Sequence, residues 1–157
     1  MAVAASGAVA EPLAREDDRT GRKNLLLLIQ LRWIAVGGQI ATIAAVHAGL
    51  GIALPLADMA VVLVALVGLN LLSLAWLRGR PTVTNGGLLL ALLLDVAALT
   101  AQLYWSGGAT NPFTSLYLLQ VTIAAVLLDL WSTWAVVAIT SVAFGGLTVA
   151  FRPLAIA

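Results

Sequence analysis

Five long apolar segments dominate the chain and restrict the folds that are open to it. They cover residues 25–47, 56–77, 85–105, 112–128 and 131–151. Each is close to the ~20 residues that an α-helix needs to cross the hydrocarbon of a bilayer. Because backbone groups in lipid must find their hydrogen-bond partners within the protein, such segments form helices. The sequence therefore predicts an all-α, polytopic membrane protein with five transmembrane helices.

The composition agrees with this class and excludes several kinds of site. Of the 157 residues, 62% are hydrophobic and 10% are charged, and the net charge is +1, which gives no reason to expect a nucleic-acid partner. The absence of cysteine excludes disulfides, iron–sulfur clusters and thiolate metal sites. A single histidine, His47, cannot form a bis-histidine haem within one chain. We therefore predict a protein surrounded by lipid, with no catalytic residue, no metal and no haem.

The charged residues predict how the chain is oriented. Residues 1–24 are small, polar or charged and are expected to form a cytoplasmic tail that is flexible, although its end can continue the first helix. Six basic residues lie on one side of the predicted membrane: Arg15, Arg19, Arg22, Lys23, Arg78 and Arg80. Only Arg152 lies on the other side, so the positive-inside rule places the N-terminus in the cytoplasm. With five spans, residues 152–157 would lie outside, and we expect truncation before a sixth span.

Three polar residues interrupt the apolar segments at a similar depth. Arg32 lies about seven residues into the first span, Asn70 about seven from the inner end of the second, and Asp95 about ten into the third, which is roughly 10–15 Å at 1.5 Å per residue. Charges at this depth are costly and usually functional, so a cluster of these side chains is expected. The alternatives are that Arg32 snorkels to the headgroups and Asp95 is neutral, or that the layer relays protons in a small transporter.

A short turn, Gly107-Gly108-Ala109-Thr110-Asn111-Pro112-Phe113, separates the third and fourth segments. Gly107 and Gly108 can close a helix C-terminus in the left-handed conformation. Asn111 suits an N-cap, and Pro112 suits the first position of the next helix. A compact helical hairpin with a purely structural role follows from these preferences alone.

The same turn has features that suit a ligand. Backbone N–H groups near Gly108 and Phe113 are expected to lack partners at the positive end of a helix dipole. The aromatic rings of Phe113, Tyr104 and Trp105 lie close by, and Gln102 is near enough to add a polar contact. Donors for an oxygen beside flat apolar walls suit a planar, lipid-soluble carbonyl compound.

The chain also resembles a known family. The turn matches the Gly-Gly-x-x-Asn-Pro-Phe heptad of the RegB/PrrB/ActS-type redox-sensing histidine kinases, and residues 31–39, 95–99 and 115–128 look similar as well. The resemblance covers about residues 25–151, and the heptad is its most specific part. In that family the membrane domain has six helices, and the heptad lies in a short outer loop where it is implicated in binding ubiquinone.

The resemblance implies a function for particular residues. Gly107, Gly108, Asn111, Pro112 and Phe113 would respond to ubiquinone as the sensed ligand, in the inner membrane of a bacterium. The complete protein would be an ATP-dependent histidine kinase, a homodimer that signals to a cytoplasmic response regulator. The family's redox-active cysteine, phosphoacceptor histidine box and ATP-binding domain have no counterpart in this sequence. We therefore expect this chain to be a sensor domain that transfers no phosphate.

Three other functional classes compete with a sensor. A small proton-coupled transporter, or part of one, would use the layer of Arg32, Asn70 and Asp95. A membrane quinone oxidoreductase would need haem, flavin or metal, and the lack of cysteine together with a single histidine argues against it. A structural or assembly module would have no ligand.

Overall fold

The computed structural model describes residues 3–49, 55–79 and 82–151, with side chains from residue 20 onward apart from that of Pro112. The described chain is helical and contains no strand. It forms five α-helices: α1 (Val3–Ala44), α2 (Leu56–Gly79), α3 (Asn85–Trp105), α4 (Leu116–Leu127) and α5 (Leu130–Val149). A single π-helical turn, Ala45–Gly49, continues α1, and short 3-10 turns, Gly108–Thr110 and Pro112–Ser115, join α3 to α4. The predicted all-α fold is confirmed.

Four of the five helices are long and apolar enough to cross a membrane. They are residues Thr20–Gly49 within the first helix, and α2, α3 and α5. The fourth segment, expected to span as residues 112–128, forms a shorter apolar helix instead. Its first four residues adopt the tighter 3-10 geometry after Asn111, and α4 proper has 12 residues, or about 18 Å of helix.

The N-terminal region differs from the expected flexible tail, because α1 begins at Val3 and runs without a break into the first apolar segment. Alanine and arginine are frequent in residues 3–24 and are among the best helix formers, which accounts for the continuation. The predicted outer end at residues 152–157, together with Arg152 and the loop residue Arg80, lies outside the described residues.

A polar junction fixes the ends of α3, α4 and α5 that lie at the predicted cytoplasmic side. Asp129 is the N-cap of α5, with its Oδ1 accepting from the Ser132 N–H at 2.7 Å. The Asn85 side chain donates to Asp129 Oδ2 at 2.9 Å and to Ser132 Oγ at 2.7 Å, and it accepts from the Asp129 N–H at 3.1 Å. Hydrogen bonds from the Ser132 side chain and backbone, and from Asn85, hold the pKa of Asp129 below its usual value.

Helix α3 is the centre of the bundle and contacts each of the other four helices. Around the half of α3 toward Asn85, called inner after the predicted orientation, all five helices contribute to one apolar cluster that includes Leu28, Leu92, Ala124 and Val136. Around its outer half the core is divided into two clusters. One joins α3 to α4 and α5, and the other joins it to α1 and α2.

Candidate functional site at the outer turn and the buried charge layer

The turn between α3 and α4 has the backbone that its glycines predict. Gly107 has φ 104° and Gly108 has φ 62°, and these are the positive φ angles of the described chain. Side chains other than glycine reach this region only at a cost of about 1–2 kcal/mol. Asn111 has an extended backbone (φ −72°, ψ 129°), after which Pro112 begins the next helical turn. The two glycines therefore allow the chain to reverse within five residues.

The Asn111 side chain closes this turn on both of its sides. Its Oδ1 accepts from the Phe113 N–H at 2.9 Å, and its Nδ2 donates to the carbonyl oxygen and the hydroxyl of Ser106, both at 2.8 Å. The Asn111 N–H donates to the Gly108 carbonyl at 3.2 Å. The sequence predicted that the Phe113 N–H would lack a partner, which is wrong for this conformation, because Asn111 caps it.

The turn packs against the end of α5, a contact that the sequence did not predict. Gly107 and Gly108 are buried. A Cβ added at Gly108 would clash with the Phe151 side chain and would lie 3.0 Å from the Leu147 carbonyl oxygen. Gly108 is thus required by close approach as well as by its backbone angle. The outer site consequently consists of three elements: the end of α3, the turn and the end of α5.

Directly below the turn, α3 and α5 leave an apolar groove of about 580 Å³. Tyr104 and Trp105 line its outer end, with their rings edge to face and their centroids 6.0 Å apart. Small residues form much of its floor: Ala97, Ala101, Ala143, Gly146 and Ala150. A flat ring with an extended apolar chain matches the groove in chemistry and shape.

The candidate residues separate into three groups. Tyr104 and Trp105 line the groove. Phe113 is exposed and does not line the groove. Gln102 is buried toward α2, where its Nε2 donates to the Met59 carbonyl at 3.2 Å. Gln102, predicted as a ligand contact, therefore does not line the groove.

Thr100 and Tyr117 are polar residues of the groove region that were not predicted as a pair. Thr100 lines the groove, and its Oγ1 donates to the Val96 carbonyl at 2.7 Å. Thr100 Oγ1 also lies 2.7 Å from the Tyr117 hydroxyl. Since Thr100 has one hydroxyl hydrogen, which points to Val96, the Tyr117 hydroxyl is the donor. No sequence pattern around Tyr117 indicated this contact with Thr100.

The three polar residues predicted to share a layer are in contact. Arg32 forms a bidentate ion pair with Asp95, with Nε to Oδ1 at 2.6 Å and Nη2 to Oδ2 at 2.8 Å. Arg32 Nη1 donates to Asn70 Oδ1 and to Ser73 Oγ, both at 3.3 Å. Ser73 is an addition that the sequence did not indicate. The arginine side chain is 2% exposed, so it does not snorkel to the headgroups.

The hydrogen-bonding capacity of Arg32 is fully used within the protein. A guanidinium group has five N–H donors. Four of them reach Asp95, Asn70 and Ser73, and Nη2 also points to the Ala91 carbonyl at 3.5 Å, the limit of a hydrogen bond. Asn70 in turn donates to the Ile29 carbonyl at 3.2 Å. A closed network of this kind favours a structural joint between α1, α2 and α3 over a proton relay, which needs a group with an open partner.

The fold and the buried charge layer define a polytopic helical membrane domain, and comparison with known proteins shows what it is similar to. The chain is 35% identical over 136 residues to the sensor histidine kinase RegB of Cereibacter sphaeroides. The match covers 87% of this chain and 29% of that kinase, so the chain spans less than a third of the relative's length. No family model matches the chain, and no solved structure matches it.

These findings confirm the resemblance to RegB-type kinases that the heptad indicated. The chain is a homologue of part of a sensor histidine kinase, and its apolar helices agree with an N-terminal membrane domain. Homology and helices together support a multi-pass protein of the bacterial inner membrane.

Proposed function

We propose that this chain is the quinone-responsive input domain of a sensor histidine kinase. The observation that carries the proposal is the apolar groove, which opens beside the heptad turn and whose outer end is lined by two aromatic rings. The similarity to a sensor histidine kinase supplies the signalling context. In the complete protein, a kinase domain would respond to the membrane domain, act as a homodimer and transfer phosphate to a response regulator.

The ring of ubiquinone would pack against Tyr104 and Trp105 at the outer end of the groove, and its isoprenoid chain would follow the groove along α3 and α5. Apolar contact with the groove discriminates little, because lipid tails are equally apolar. Recognition would therefore depend on stacking, worth about 0.5–1.5 kcal/mol for each aromatic pair, and on a polar contact to the carbonyl.

The polar contact would come from the Asn111 amide. Its Nδ2 donates to Ser106 in this structure, so a quinone carbonyl would have to compete for that hydrogen bond. Such an exchange would loosen the turn, since the same side chain also caps the Phe113 N–H. Quinone accepts hydrogen bonds, whereas quinol also donates them, so the two forms would favour different states of the turn. Only such a difference in affinity can shift a conformational equilibrium.

The positions of basic residues support an orientation with the N-terminus in the cytoplasm and the turn outside. In this arrangement the ligand would enter at the outer face of the bilayer. The signal would pass along the helices to the cytoplasmic side.

The proposal is tested by the affinity of ubiquinone-1 for the protein in lipid nanodiscs, followed by quenching of tryptophan fluorescence. We expect Tyr104→Ala and Asn111→Ala to weaken binding roughly three- to tenfold, which corresponds to the loss of one aromatic contact or of one hydrogen bond. Leu118→Ala is the matched control, because Leu118 is an exposed side chain on α4 outside the groove. Binding that is absent from the wild type, or equal in all four proteins, would contradict the site.

A further inference from the structure

The buried charge layer lies at the middle of the bundle. Asp95 is the central residue of α3, with ten residues on either side of it within Asn85–Trp105, or about 15 Å of helix in each direction. Through Arg32, Asp95 is tied to α1, and Arg32 is tied to α2 by Asn70 and Ser73. Three helices are therefore fixed to one another at one level.

Below this layer the helices form a single packed unit. The inner apolar cluster contains side chains from all five helices, with Leu25, Leu92, Ala124 and Val136 almost completely buried. Because close-packed side chains transmit displacement instead of absorbing it, the inner half is expected to move as one body.

Polar contacts between helices add to this packing at the inner ends. Arg22 of α1 donates to the Leu77 carbonyl of α2 at 2.9 Å, and Asn24 of α1 donates to the Leu127 carbonyl of α4 at 3.2 Å. Asn85 of α3 joins the N-cap of α5 at Asp129. Every helix thus has at least one side-chain tie at this end.

Above the layer the bundle is divided. The cluster of Val96, Leu99, Leu103, Tyr117 and Leu147 joins α3 to α4 and α5. A separate cluster of Val36, Val62 and Leu66 joins α1 and α2 to the other side of α3. Two grooves lie mainly in this half, one of about 580 Å³ between α3 and α5 and one of about 370 Å³ between α2 and α3. Open space of this kind lets helices shift without overlap.

Both helices that line the larger groove contain sites that favour bending. In α3, the Thr100 hydroxyl donates to the Val96 carbonyl one turn earlier. In α5, the Thr140 hydroxyl donates to the Val136 carbonyl at 2.8 Å. Bonds of this type compete with the helical hydrogen bond and often bend helices. The Thr100 site lies above Asp95 in α3, whereas the Thr140 site begins at Val136, a residue of the inner cluster.

We propose that the Arg32–Asp95 layer is a mechanical boundary between an inner half of the bundle that moves as one body and an outer half in which the helices can shift relative to one another. Arg32, Asp95, Asn70 and Ser73 are then positioning residues that confine movement of the turn to the outer half. The mobility of the outer half is a property of the fold, whereas its coupling to quinone binding rests on the function proposed above.

The test displaces the turn without any ligand. Gly108→Ala forces the turn away from α5, since the added Cβ would clash with the Phe151 side chain and would lie 3.0 Å from the Leu147 carbonyl oxygen. Gly145→Ala is the matched control, because a Cβ there meets nothing within 4 Å. The chain contains no cysteine, so spin labels can be placed in pairs at cysteines introduced at exposed positions. The outer pair is Val61 and Thr110, and the inner pair is Leu72 and Leu90.

Distances between the labels are measured by pulsed electron paramagnetic resonance in nanodiscs. With Gly108→Ala we expect the outer distance to shift by on the order of 1 Å, the difference between this clash and ordinary contact, while the inner distance stays the same. Gly145→Ala should change neither distance. When Gly108→Ala is combined with Arg32→Met and Asp95→Leu, the inner distance should shift as well.

An inner distance that shifts as much as the outer one in the otherwise unaltered protein would overturn the proposal. An inner distance that stays the same on Gly108→Ala when Arg32 and Asp95 are both replaced would also overturn the proposal. Hydrogen exchange of the unaltered protein tests the same boundary without any variant. Amides of residues 96–105 should exchange faster than those of residues 86–95, and equal protection would overturn the proposal. Added ubiquinone that fails to bind would refute the proposed function and leave both comparisons valid.

Discussion

Replacing Asp95 by leucine would leave the Arg32 guanidinium buried in the bilayer without its counterion. Two charge-assisted hydrogen bonds would be lost, at 2.6 Å and 2.8 Å, and each is worth about 1.5–3 kcal/mol. Their sum, about 3–6 kcal/mol, agrees with the 3–5 kcal/mol that follows from breaking a buried ion pair on one side. We expect the free energy of unfolding of Asp95→Leu to fall by this amount.

The double variant distinguishes the ion pair from simple loss of packing. With Arg32→Met and Asp95→Leu together, no charge remains buried, and replacing a whole pair by apolar side chains is often neutral. The main remaining cost is that Asn70 Oδ1 loses its hydrogen-bond donor. A buried acceptor without a partner lowers stability by about 1–3 kcal/mol. We therefore expect the double variant to be more stable than Asp95→Leu alone.

Reversible unfolding in detergent or bicelles, analysed as a double-mutant cycle, measures this difference. The expected coupling energy is about 2 kcal/mol or more, which is within the range found for residues in contact. Ser141→Ala serves as a control, because the Ser141 hydroxyl is on an exposed surface and donates within its own helix to Val137. A coupling energy below about 0.5 kcal/mol would refute the inferred role of the pair.

Two further variants test the turn and the inner junction. Asn111→Ala should lower stability by about 1–2 kcal/mol through loss of the cap, even without quinone, and Asn111→Asp should lower it less, because it keeps the acceptor for Phe113; thermal unfolding of both variants checks this. Asp129 has a pKa below its usual 3.8 in the folded protein, chiefly because of Ser132. The contribution of Asp129 to stability is therefore fully present above pH 3.8, its usual pKa, and is lost as pH falls through the lower pKa of the folded protein. Asp129→Asn should remove this pH dependence, and an unchanged acid profile would contradict it.

The buried layer could be predicted from the sequence because two simple quantities determine it. The helical rise gives each residue its depth, and a charge in lipid must find a partner. Arg32, Asn70 and Asp95 therefore had to be considered together. The glycines of the turn were equally predictable, since Gly107 and Gly108 supply the positive φ angles that a compact reversal needs.

The orientation of Gln102 was also available from the sequence and was missed. Gln102 is seven residues after Asp95, which is two helical turns, so both side chains lie on one face of α3. That face is turned toward α1 and α2, where Asp95 meets Arg32 and Gln102 meets Met59. The face that lines the groove contains Thr100 and Tyr104 instead.

Other features depend on how separate parts of the chain pack, and spacing alone could not give them. The Asn111 side chain reaches Ser106 and the Phe113 N–H only when the turn has closed, and this occupies the Phe113 donor that seemed free in the sequence. The contact of Gly108 with Leu147 and Phe151 requires the end of α5 to lie beside the turn. The hydrogen bond between Thr100 and Tyr117 depends on the rotation of α4 relative to α3.

The most direct test of the quinone site is the position at which a photoreactive ubiquinone analogue attaches to the protein in a bilayer. After illumination and proteolysis, mass spectrometry identifies the labelled residues. We expect labelling at Tyr104, Trp105 and the groove residues of α5, and we expect it to decrease when unlabelled ubiquinone is added. Labelling that is spread over lipid-facing residues such as Leu118 and Val142, or that does not respond to competition, would contradict a quinone site in this groove.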